Sequence, residues 1–156
     1  MAGRIGAAYR TRPPDQNKAA LHAIVKRGPP PGLLALDGDL AVGWCQVTPR
    51  AHVPALDRVP HLKCVDDAPV WSLSCFYVRI GYRRKGVMKA LIVEALRMAK
   101  RAKAPALEAY PFDAALSPSA SSTGFASTFK RAGFKIVARR IPARPIMRHD
   151  LGSVAE

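Results

Sequence analysis

Acidic residues are scarce in this chain of 156 residues: 11 Asp and Glu stand against 25 Lys and Arg, a net charge of +14. The imbalance calls for an anionic partner to be considered, whether nucleic acid, a membrane surface or a small phosphorylated molecule, and charge alone does not choose among them. Cysteine is scarcer still. Cys45, Cys64 and Cys75 form an odd set without CxxC spacing, which argues against a disulfide framework and reads as reduced thiols in a cytoplasmic protein. The four histidines, His22, His52, His61 and His149, lack metal-ligand spacing, and no Cys/His quartet accompanies them, so no metal is expected. No stretch approaches the roughly 20 apolar residues of a membrane span, and the Arg-containing N-terminus lacks the apolar core of a signal peptide. Neither GK[ST] nor GxGxxG occurs, so neither a P-loop nucleotide triphosphatase nor a Rossmann enzyme is indicated.

What is present reads as one domain over residues 1–156, long enough to bury a sizeable core without disulfides. Residues 1–12 are basic and without period. PPDQNKAALHAIVKRG then sets Ala20, Leu21, Ile24 and Val25 on one side of a short helix, opened by prolines and stopped at Gly28. After Pro29, Pro30 and Pro31, LLALDGDLAVGWCQV reads as two strands about a tight turn at Asp37, Gly38 and Asp39. Residues 49–69 are broken by prolines and read as a loop with a helical turn near Leu56. VWSLSCFYVRI is rich in β-branched and aromatic residues and predicts a central strand. Val87, Leu91, Ala95 and Met98, with Met88, Ile92, Leu96 and Ala99 beside them, recur at helical spacing. PALEAYPF reads as another strand, and the polar loop SPSASSTG as a cap for the helix GFASTFKRA, which ends at Gly133. FKIVARRI and RPIMRHDL close the chain as an antiparallel pair, completing an α/β fold around a sheet of mixed direction.

One stretch, GYRRKGVMKALI, sets Arg83, Arg84 and Lys85 before a glycine and an apolar helix, where the positive end of the helix dipole repels cations. An anion resolves the conflict. The first N–H groups of a helix have no intrahelical partner and donate outward, Gly86 lets a ligand approach the backbone, and the guanidinium groups add charge-assisted hydrogen bonds. An ordinary strand-to-helix loop with surface arginines fits the same residues, and the loop by itself does not separate the two.

VRIGYRRKGVMKALIVEAL resembles motif A of the GNAT superfamily of acetyl-CoA-dependent N-acetyltransferases, whose loop runs [QR]-x-x-G-x-[GA]. Arg83 takes the first motif position and Gly86 the glycine; Met88 stands where the family prefers Gly or Ala, and Ile80 replaces a frequent proline. FASTFKRAGFKIV resembles the family's second signature, [YF]-x-x-x-G-F after an alanine-rich helix, with Phe129, Gly133 and Phe134 on the matching positions. The two lie in the family's order, and the resemblance spans residues 32–151, narrowing to a subgroup of uncharacterised bacterial acetyltransferase-like proteins. It implies a largely antiparallel mixed sheet flanked by helices, with a V-shaped cofactor opening between two adjacent central strands. MAGRIGAAYR shows no sign of the superfamily's usual first strand, so residues 1–31 read as an N-terminal extension and helix. A substrate-binding wall at that end is then either missing or supplied by a second subunit.

The resemblance places acetyl-CoA between VWSLSCFYV and LEAY. Pantetheine pairs with backbone near Phe76, Tyr77 and Val78, the pyrophosphate sits on Arg83, Arg84, Lys85, Gly86, Val87 and Met88, and Phe129 lies along the cofactor. A primary amine attacks the thioester directly, which calls for a base, an oxyanion donor and a proton for the departing thiolate. The family's acid is a tyrosine at the position of Phe129, which has no proton to give. Tyr110 is the first substitute and Glu108, on the same strand face, the candidate base; a core-anchoring tyrosine and a surface ion pair are the plain alternatives. Asp66 and Asp67 could draw an amine to the mouth or cap a loop. Cys75 could carry an acetyl group but reads more readily as a small core residue without an activating histidine, and Trp44 as a core or acceptor-side aromatic.

The acceptor is a small-molecule or peptide amine, with homodimerisation through the closing strands open. Two other readings stand beside this one. A catalytically silent acetyl-CoA-binding or sensor protein fits Phe129 and Met88. A basic nucleic-acid-binding module fits the charge and RRIPARPIMR, but single-strand binders interleave aromatics with their cations, and residues 139–148 contain none.

Overall fold

The computed structural model describes residues 2–115 and 122–152. The first 31 residues hold three helices, α1 (Ala2–Ile5), α2 (Ala8–Thr11) and α3 (Pro14–Arg27), and no strand among those described. The two short helices fall where the sequence shows no period. They are held by tertiary contacts instead: buried Asn17 on α3 donates its amide to the carbonyls of Tyr9 and Arg12, and Gly3 lies against Val53.

The sheet is six-stranded, in the order β1-β2-β3-β4-β6-β5. β1 (Gly32–Asp37) and β2 (Leu40–Pro49) form the expected hairpin, with Gly38 at φ +57° in its turn. Three short helical turns at Arg50–His52, Pro54–Leu56 and Pro60–Leu62 occupy the proline-rich loop. β3 (Trp71–Val78) runs antiparallel to β2, and α4 (Val87–Arg101) crosses over to β4 (Ala106–Ala109), which is parallel to β3. α5 (Ala126–Arg131), β5 (Lys135–Ala138) and β6 (Ile146–Asp150) follow, with β6 inserted antiparallel between β4 and β5. The sheet is thus mixed and mostly antiparallel, with helices on both faces.

The strands are shorter than the apolar runs that predict them. β4 stops at Ala109 because the chain reaches Pro111, which has no N–H to pair. The loop SPSASSTG lies partly outside the described residues. Its expected side-chain cap on α5 is not found: Phe125 occupies the N-cap, and the N–H of Ala126 donates to the carbonyl of Phe112.

The main core forms where α4 lays Leu91, Ile92, Ala95 and Ala99 on Cys45, Val47, Leu73 and Phe76, with Ala126 and Phe129 of α5 on the same layer. A second cluster, Val53, Leu56, Leu62, Tyr110 and Ile146, seals the opposite face beneath the loop. Gly43 on β2 is required by the closeness of α4: a Cβ there would stand 2.7 Å from Val87 Cγ1 and 3.3 Å from Leu91 Cδ1. Gly43→Val should therefore overpack the seam and cost about 1–3 kcal/mol, read as a lower urea midpoint with an unchanged m-value.

Candidate active site

β3 and β4 pair over three positions, Trp71 with Leu107, Ser72 with Glu108 and Leu73 with Ala109. Beyond them the strands part, and the backbone of β3 from Ser74 to Val78 faces an opening. Arg79 N–H bonds back to Val42 on β2, so by the alternation of a strand the N–H groups of Phe76 and Val78 point the other way, into the gap. Residues 122–126 cross it. The carbonyl of Ser122 accepts from Phe76 N–H at 2.7 Å, that of Gly124 from Phe112 N–H at 2.9 Å, and Phe112 and Phe125 form a parallel bridge.

The loop after β3 turns through three left-handed residues, Gly81, Arg84 and Gly86, at φ +87°, +60° and +82°. For Arg84 this conformation costs on the order of 1 kcal/mol, a strain that an arginine bears where its position is needed. Gly86 is the N-cap of α4 and offers no side chain to the N–H groups behind it, and no acid lies in the first turn. The first helical bond of this turn runs from Ala90 N–H to the carbonyl of Gly86, so the N–H groups of Val87, Met88 and Lys89 point out of the helix end. Arg83 Nε donates to the carbonyl of Val78 at 3.3 Å, Lys85 lies over the Tyr82 ring, and the Tyr82 hydroxyl donates to Asp37 at 2.8 Å. The loop is thereby moored to both strands.

Between this helix end, β3 and α5 lies a cavity of about 840 Å³. Of the residues singled out from the sequence, Phe76, Tyr77, Val78, Arg83, Arg84, Gly86, Val87 and Met88 line it together; Lys85 and Phe129 do not. Ser122, Gly124, Thr128 and Arg131 line it as well. They were missed because they belong to an irregular segment and a short helix, and only the parting of β3 from β4 shows that they face the opening. Met88 and Phe129, two of the departures from the family's usual residues, meet at Gly124: a Cβ there would stand 2.4 Å from Met88 Cε and 3.0 Å from the Phe129 ring. The larger side chain on α4 and the ring on α5 are accommodated by a residue without a side chain.

Tyr110 and Glu108 are brought together, as expected for one strand face, but away from the cavity lining. Both are fully buried, and the Tyr110 hydroxyl donates to Glu108 Oε2 at 2.9 Å. Arg148 donates from Nε and Nη2 to Glu108 Oε1 and spans Asp66 with Nη1 and Nη2 at 2.7 and 3.1 Å. Arg50 stands 3.7 Å from Glu108 and binds Asp57 and the carbonyl of Leu62. The cluster ties β4, β6 and the proline-rich loop into one unit. Asp66 also accepts from Ala68 N–H at 3.1 Å, the loop-capping role, while Asp67 is exposed. Burial pushes the Cys75 thiol pKa upward, which disfavours the thiolate that acetyl transfer through sulfur requires. Trp44 lies between Leu34 and exposed Tyr77 across three strands.

A mixed sheet whose central strands part beside an unblocked, cationic helix N-terminus offers a place for an anionic ligand. The chain belongs to the acetyltransferase (GNAT) family, whose sequence profile matches residues 5–121. That match begins within α1 and so takes in the N-terminal helices outside the stretch that carried the resemblance. No curated protein sequence matches the chain. Among solved structures, the PaiA N-acetyltransferase from Thermoplasma acidophilum, in complex with coenzyme A, is 15% identical with a TM-score of 0.58, over 96% of this chain and 82% of that one. An N-acetyltransferase from Staphylococcus aureus Mu50 is 15% identical with a TM-score of 0.56, over 90% and 79%. The ribosomal-protein-S18-alanine N-acetyltransferase from Escherichia coli is 14% identical with a TM-score of 0.53, over 93% and 94%. These similarities describe a shared fold.

Burial, and next the charge of Glu108, hold the Tyr110 pKa well above 10.0, so the fold favours the neutral phenol. Its contribution is complete below pH 10.0 and declines as pH rises beyond that value. Tyr110→Phe should cost about 1–3 kcal/mol near neutral pH by removing a donor from a buried carboxylate. The gap from the wild type should narrow in urea titrations carried above pH 10.0, and a constant gap would remove the phenol from the linkage.

Proposed function

We propose that the cavity binds acetyl-CoA and that the protein transfers the acetyl group to a primary amine by direct attack. The observation that carries this reading is the α4 N-terminus: three outward N–H groups, a left-handed Gly86 without a side chain and cations at Arg83 and Arg84, all opening on the unpaired edge of β3. A pyrophosphate there complements the helix dipole and neutralises the loop. Pantetheine runs along β3, pairing with the backbone at Val78, and Arg131 on the opposite wall meets a phosphate. Coenzyme A in the structurally similar PaiA N-acetyltransferase supports the cofactor.

The thioester carbonyl needs a donor as negative charge develops on it, and the N–H of Phe76 points into the gap for this purpose. Ser122 holds that N–H at 2.7 Å, so transfer requires its carbonyl to yield. This contact is also what favours the second reading, a protein that binds acetyl-CoA without turning it over. We assign Tyr110 and Glu108 a positioning role: the carboxylate oxygens are engaged by Arg148 and Tyr110, and a phenol with a raised pKa is a poor acid. The thiolate then leaves without a tyrosine on α5. The acceptor is a small-molecule or peptide amine; the S18-alanine N-acetyltransferase among the similar structures has a protein substrate.

Calorimetric titration with acetyl-CoA should show one site, and Gly86→Glu combined with Arg83→Ala should weaken binding by more than about tenfold, since each 1.4 kcal/mol is a factor of ten; unchanged affinity would sink the placement of the pyrophosphate. Turnover across a panel of amines and peptides separates transfer from silent binding. Arg84→Gly should relieve the left-handed strain, holding or raising stability by about 1 kcal/mol while lowering acetyl-CoA affinity. Thermal unfolding and calorimetry on that variant read the two effects independently.

A further inference from the structure

Twelve of the 25 Lys and Arg, but one of the 11 acids, fall in residues 79–103 and 126–135, so these two segments carry +11 of the net +14 and the rest of the chain +3. All twelve cations are exposed. α4 and α5 share one core layer on the sheet, which sets the cations of their outer surfaces on the same side of the molecule. Among the described residues, Arg97 alone of the twelve has an ion-pairing carboxylate, that of Glu94.

The cofactor reading employs few of them. Arg83, Arg84 and Arg131 line the cavity. Lys100, Arg101 and Lys103 stand at the far end of α4, a helix of 15 residues and so about 22 Å long. A dipole-complementing role for the last turn covers Lys100 and Arg101 of α4 and Lys130 and Arg131 of α5, but not Lys89, Lys103 or Lys135. Small counterions screen such a like-charged surface, and a polyanion lying along it releases them with a gain in free energy. Single strands are held by exposed aromatic platforms, and neither segment presents an exposed aromatic ring. Membrane surfaces are held by a row of bulky apolar side chains beside the cations, and the two segments expose only Ile80, in the loop after β3, and Val93, on α4.

We propose that the α4–α5 face docks double-helical nucleic acid through its phosphates. The charge surplus seen in the composition is thereby assigned to a place, one separate from the RRIPARPIMR segment, where Arg139, Arg140, Arg144 and Arg148 are spent on Asp113, on loop and strand carbonyls, and on Glu108 and Asp66. Binding of this kind is independent of sequence and falls steeply with salt.

The test is fluorescence anisotropy with labelled RNA and DNA duplexes of the same sequence, titrated at salt concentrations from about 50 to 200 mM. Lys100→Gln, Arg101→Gln and Lys103→Gln together remove three charges from this face; Arg10→Gln, Lys18→Gln and Lys26→Gln remove three from α2 and α3. The first triple variant should lose about tenfold or more in affinity and lower the log–log salt slope by about 2–3, the second less than about threefold. Equal affinity for the two duplexes supports shared phosphate chemistry, and a preference for one names the source. Equal losses in the two triple variants, an unchanged slope, or binding to phosphatidylserine vesicles with none to either duplex would overturn the proposal. Thermal unfolding establishes that both variants fold. Acetyl-CoA titration of the first variant, expected to be unchanged, keeps this outcome apart from that of the cofactor reading.

Discussion

Beyond Leu73 and Ala109 two parallel strands part company, and every backbone group of β3 that loses a β4 partner must find another one or face solvent. Much of what is distinctive about the molecule follows from that divergence. It begins where Pro111 ends the capacity of the β4 segment to pair, and it leaves the N–H groups of Phe76 and Val78 directed into a gap. Ser122 satisfies one of them, Gly124 and Ala126 join Phe112 on the other side, and the space that remains is the cavity. The same geometry that opens the cavity therefore also lets Ser122 occupy part of its backbone edge.

The residues around that gap are mutually adjusted. Met88 is larger than the family's usual Gly or Ala and Phe129 lacks a hydroxyl, and taken singly each departs from a catalytic pattern. In the fold they converge on Gly124, where there is no side chain to obstruct either. Packing density leaves no room for independent choices here, since a methyl group at Gly124 would meet both neighbours. The buried polar cluster of Glu108, Tyr110, Arg50 and Arg148 is governed by a different constraint. Removing a carboxylate from water is tolerable only when its oxygens are taken up by partners, and those partners come from three separate segments. Such a cluster ties β4, β6 and the proline-rich loop together.

Much of the architecture was legible from local pattern. The hairpin about Asp37, Gly38 and Asp39, the amphipathic α4, and the closing antiparallel pair all rest on turn chemistry and on periodicities of two and 3.6, which act over a few residues. The loop of Arg83 to Met88 was legible for the same reason: a helix start, a glycine and neighbouring cations are sequential. The two short helices before Pro13 were not, because their order depends on contacts such as that of Asn17 with Tyr9 and Arg12 and carries no periodic signal.

The sequence by itself determined the order of the elements from α3 onward, the cationic helix start and the excess of positive charge, since each is a property of neighbours along the chain. Only the tertiary structure decided that Tyr110 and Glu108 turn into a buried ion cluster, that Ser122 reaches the backbone of β3, and that Met88 and Phe129 share one space. Strand alternation puts Tyr110 and Glu108 on a common face without saying what that face meets. The answer lies in residues 40 positions or more away, and contacts of that range arise from the packing of the whole sheet.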